Sequence, residues 1–87
     1  MDHAENGLWI EGVSQQGGDS IKRAFFEFQA TYQLGPDDWQ RRVFPATGGQ
    51  IHVWIGKPPQ PTFRDQFTIN DDEDAGRKVL ELLEHLR

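Results

Sequence analysis

SIKRAFFEFQATYQL, residues 20–34, is the stretch on which the fold turns. Read at a period of two, Phe26, Phe28, Ala30, Tyr32 and Leu34 alternate with Glu27, Gln29, Thr31 and Gln33, as in a half-buried strand. Read at a period of 3.6, Ile21, Ala24, Phe25, Phe28 and Tyr32 fall on one stripe, with Ser20 as a cap and Gly35-Pro36 as a stop. Two details favour the strand. Lys22 and Arg23 would stand in the first turn of a helix begun at Ser20, where the peptide dipoles disfavour positive charge. The Phe, Tyr and Thr content also suits a pleated surface. The stretch is therefore read as strand; a helix here would make the order β-α-β-β-β-α.

Working outward, residues 8–13 read as a strand with Leu8 and Ile10 on one face and Trp9, Glu11 and Val13 on the other. Residues 14–19 have the polar, glycine-rich character of a turn. On the other side, residues 35–38 form a turn cluster, residues 39–44 a short strand, and residues 45–49 a second turn. Residues 50–56 read as a strand with Ile51, Val53 and Ile55 pointing one way and His52 and Trp54 the other. The prolines of residues 57–61 make an extended connection, since they cannot donate to a central ladder. Residues 62–69 resume as strand.

The last segment carries the clearest signal. Asn70 or Asp71 can accept from the leading amides, and Asp72, Glu73 and Asp74 place negative charge in the first turn. Ala75, Val79, Leu82, Leu83 and Leu86 then recur at helical spacing. Gly76 costs about 1 kcal/mol against alanine inside a helix, which points to fraying or close packing there. The expected fold is α+β: a mostly antiparallel sheet of four to five strands with the C-terminal amphipathic helix packed on one face. The chain is read as one domain, residues 1–87, with residues 1–6 a flexible tail.

Composition narrows the function. At 87 residues the chain buries roughly 60% of its unfolded surface, so its stability rests on one core. The absence of cysteine excludes disulfides, thiolate metal sites and thiol nucleophiles, and fits a reducing compartment. No apolar run approaches the roughly 20 residues of a membrane span, and the polar start does not resemble a signal peptide. A soluble, cytoplasmic protein without membrane association is expected, of the kind found as a bacterial or phage accessory component. A net charge of −5 disfavours phosphate binding, and with it nucleic acid.

Nothing in the chain sets out a reaction. The run Asn70–Asp74 has Ala75 where a calcium loop needs glycine, and helix capping accounts for its acids. His3, His52 and His85 lack metal-ligand spacing. The paired glycines at 17–18 and 48–49 match no phosphate loop, and the lone PxxP of residues 58–61 reads as a rigid connection. No cofactor, metal or catalytic residue is assigned, and the chain is read as a non-enzyme.

The candidate site is the sheet face left uncovered by a single helix. Trp9, His52 and Trp54 point there, flanked by Arg41 and Arg42, and exposed aromatics of this kind suit a protein-binding surface. The expected function is a small interaction module, an adaptor, inhibitor or accessory subunit, that binds a protein partner or forms a homodimer through this face. The alternative is single-stranded nucleic-acid binding, with the same rings stacking bases beside the arginines.

Overall fold

The computed structural model describes residues 7–57, 65–68 and 74–86. The element order is β1 (Gly7–Val13), α1 (Gln15–Tyr32), β2 (Gln40–Pro45), a short 3-10 turn (Thr47–Gly49), β3 (Ile51–Gly56), β4 (Asp65–Thr68) and α2 (Ala75–Leu86). Residues 20–34 therefore belong to a helix, and the strand reading is corrected. The helix does not begin at Ser20. Ser14 caps it, its hydroxyl accepting from the Gly17 N–H at 3.0 Å. This start moves Lys22 and Arg23 out of the first turn and removes the electrostatic objection to a helix.

The glycines at 17 and 18, expected in a turn, lie inside α1 and are buried. A Cβ at Gly18 would stand 2.5 Å from Ile51 Cδ1, so the helix start lies close on the sheet. Ile21, Ala24, Phe25 and Phe28 continue the buried stripe. At the far end Gln33 takes a left-handed conformation, φ 54°, and the Leu34 N–H donates to the Gln29 carbonyl at 2.9 Å. This closing motif ends the helix two residues before the expected Gly35-Pro36 stop.

The sheet order is β2-β3-β1-β4. Its antiparallel part is β2-β3-β1, three strands rather than the expected four to five, and β4 runs parallel along β1. Leu8 pairs with Ile55 and Ile10 with Val53, so the alternation places all four on one face. There they join Ile21, Phe25, Phe28 and Trp39 and the α2 residues Ala75, Val79 and Leu83 in one buried core. Two helices, not one, cover this face.

The caps expected for α2 at Asn70 and Asp71, the Pro-rich connection of residues 58–61 and the tail of residues 1–6 lie outside the described residues. The glycine at 76 finds its reason in packing. A Cβ there would meet the Ser20 carbonyl oxygen at 2.6 Å, while the Gly76 N–H donates to the Ser20 hydroxyl at 3.0 Å. At the other end Tyr32 Oη donates to Glu84 Oε2 at 3.0 Å. No described helix is long and apolar enough to cross a membrane.

Gly76→Ala should destabilise the protein by about 1–3 kcal/mol, because backbone cannot yield as a side-chain tip does. Helix propensity alone predicts a gain of about 1 kcal/mol for the same change. Urea unfolding decides between them; a raised midpoint would show that the two helices are not held this closely.

Candidate functional site

Two surfaces hold the residues singled out from sequence. The first is the sheet face opposite the helices. Register puts Trp9, Trp54 and Arg42 in one cross-strand row and His52 beside Phe44 in the next. Trp9, His52, Trp54 and Arg42 therefore share the expected face. Arg41 does not, because it pairs with Ile55 and projects on the helix side. Trp54, read from sequence as an exposed ring, is fully buried and stands apart from the helix-side core. The Arg42 guanidinium lies 6.0 Å from its ring centroid. What this face presents is a half-buried cluster in which the Trp9 ring lies 5.4 Å from both Phe44 and His52.

A bulge organises that cluster. The β1–β3 register slips between Ile10 and Val13, where Gly12 sits at φ 47°. A left-handed glycine is what such a bulge needs, and its amide is turned out of the ladder. His52 takes up that amide: the Gly12 N–H donates to Nδ1 at 2.8 Å. Nδ1 is thus an acceptor, and the neutral ring carries its proton on Nε2. Glu11 Oε2 lies 3.2 Å from the same nitrogen, and the Glu11 carboxylate accepts from Trp9 Nε1 at 3.1 Å. On this face His52 Nδ1 holds the bulge amide and the Glu11 carboxylate holds the Trp9 indole. Among the described residues no three His, Asp or Glu side chains converge as a metal site.

The second surface lies where α1 meets the outer strand. A cleft of about 290 Å³ is lined by Phe25, Phe26 and Gln29 of α1 and by Arg41 and Arg42 of β2, with Trp39 and Pro36 of the loop between them. Phe26 is 51% exposed and Val43, two residues along β2 from Arg41, is 45% exposed. Arg41 Nε is buried and, among the described residues, has no hydrogen-bond partner. Sequence reasoning passed over Phe26, Val43 and Gln29. One signal was present: on the helical reading Phe26 is a large apolar residue off the buried stripe.

No protein-family model, curated protein or solved structure matches this chain.

His52→Leu should cost about 1–3 kcal/mol in urea unfolding, since it leaves the Gly12 amide unsatisfied. His52→Gln, with an oxygen able to accept, should recover part of the loss. Equal stability of the Leu variant and the parent, with unchanged Gly12 amide exchange, would show that the ring does not hold the bulge.

Proposed function

We propose that the chain is a small protein-interaction module that holds a partner at the outer strand β2 and the adjoining side of α1, without itself carrying out a reaction. The observation that carries this reading is the pair Phe26 and Val43. Among the described residues they are the exposed large hydrophobics, and both lie on the helix side of β2 or at its cleft. Apolar side chains next to an outer strand are the usual components of a docking surface. The partner surface thus moves from the aromatic face to the strand edge, and Arg41 and Arg42 belong to both readings.

A heterologous partner is favoured over a second copy. Pairing two β2 edges would bring four arginines into one short ladder, and like charges across a ladder destabilise it. Base stacking draws no support from the far face, because Trp54 has no exposed ring to offer.

The double variant Phe26→Ser, Val43→Thr should fold normally, with stability within about 0.5 kcal/mol of the parent as is usual for surface changes. Affinity capture from a native lysate at low salt should yield a stoichiometric protein with the parent chain and at least tenfold less with the variant. Equal recovery would move the docking surface elsewhere.

A further inference from the structure

Resting on that docking reading, we infer that the outer edge of β2 takes an extended peptide segment bearing a carboxylate side chain, which Arg41 receives in the cleft between α1 and β2. Three observations lead there.

The first is the phase of the backbone. The Ala46 N–H donates to the Gln50 carbonyl at 3.1 Å, and antiparallel pairs alternate between bonded and non-bonded. Phe44, Arg42 and Gln40 then bond to β3, while Arg41, Val43 and Pro45 turn their backbone outward. Proline is tolerated at 45 for this reason, having no N–H for the ladder to lose. Arg41 and Val43 each present one donor and one acceptor to an incoming strand, as in recognition by strand addition. Pro45 offers no donor and limits the added ladder to a short one.

The second is Arg41 itself. Its Nε is buried and unmatched among the described residues, and an unmet donor on a charged group is costly. A carboxylate matches the guanidinium fork with two parallel bonds, the strongest common pairing for this side chain.

The third is local charge. No carboxylate lines the cleft among the described residues. Lys22 Nζ lies 6.0 Å from the Phe26 ring centroid, and Lys57 Nζ lies 5.7 Å from that of Trp39. With Arg41, three cations therefore gather about one cleft on a chain whose net charge is −5. Such a local field attracts an acidic segment and repels a basic one.

The test uses the full chain, labelled with nitrogen-15, and two blocked hexapeptides: one alternating valine and glutamate, the other alternating valine and lysine. The glutamate peptide should bind saturably and shift the Arg41 and Val43 amide signals, more weakly as salt rises. Arg41→Gln should weaken it at least tenfold, whereas Arg42→Gln, which alters a guanidinium standing over the Trp54 ring, should weaken it less. Equal binding of both peptides, or an Arg41→Gln protein that binds as the parent does, overturns the inference. So does edge-to-edge association of the chain itself, seen as broadening of the same amides with rising protein concentration. A chain that retains its protein partner from lysate yet ignores the glutamate peptide at millimolar concentration would keep the docking reading and remove the acidic strand.

Discussion

The rest of the structure depends on how closely the first turn of α2 approaches the backbone of α1. At Gly76 there is room for hydrogen and nothing larger, since any Cβ would stand within 2.6 Å of the Ser20 carbonyl. The same closeness lets the Ser20 hydroxyl accept from the Gly76 amide, satisfying one of the donors that a helix start leaves over. With Tyr32 bonded to Glu84 near the other end, the two helices form a pair joined twice. That pair shares its core with β1 and β3. The helix side of β2 is left partly open, with Val43 exposed and Arg41 lining a cleft. The candidate docking surface is thus a consequence of where the helix pair sits.

The opposite face shows how a local irregularity can take up a polar group of a surface. The bulge at Gly12 frees an amide that His52 Nδ1 accepts, and the Glu11 carboxylate accepts from the Trp9 indole. An acid and an imidazole distant in sequence are drawn together in holding backbone and ring positions. Trp54 is removed by burial. A face that reads as an open aromatic platform is, in three dimensions, a partly closed cluster.

The outer strand carries residues that serve two ends. Arginine and proline on an edge keep it from pairing with any chance strand, and under the proposed docking the same residues would restrict which strand is accepted. On β2, Pro45 removes a donor and Arg41 and Arg42 repel a basic or identical edge. Selectivity of this kind needs no enclosed pocket, which suits a chain with a small core.

Sequence by itself determined the elements whose apolar pattern has one reading. The C-terminal helix, the strand through Ile51, Val53 and Ile55, and the separation of Trp9, His52 and Trp54 from the core residues all follow from periodicity, which is a local property. Residues 20–34 admitted two periods, and the choice depended on Ser14, six residues outside the stretch, acting as the cap. What sequence left to the tertiary structure was coverage. Register shows which way a side chain points, but whether that side is open depends on neighbours distant in the chain. Arg41 is separated from Arg42 by the alternation of one strand, whereas Trp54 is buried, and Phe26 and Val43 are exposed, because of how whole layers meet. The close approach at Gly76 is of the same kind: a glycine in a helix signals a cost, and only the facing carbonyl of Ser20 shows what that cost makes room for.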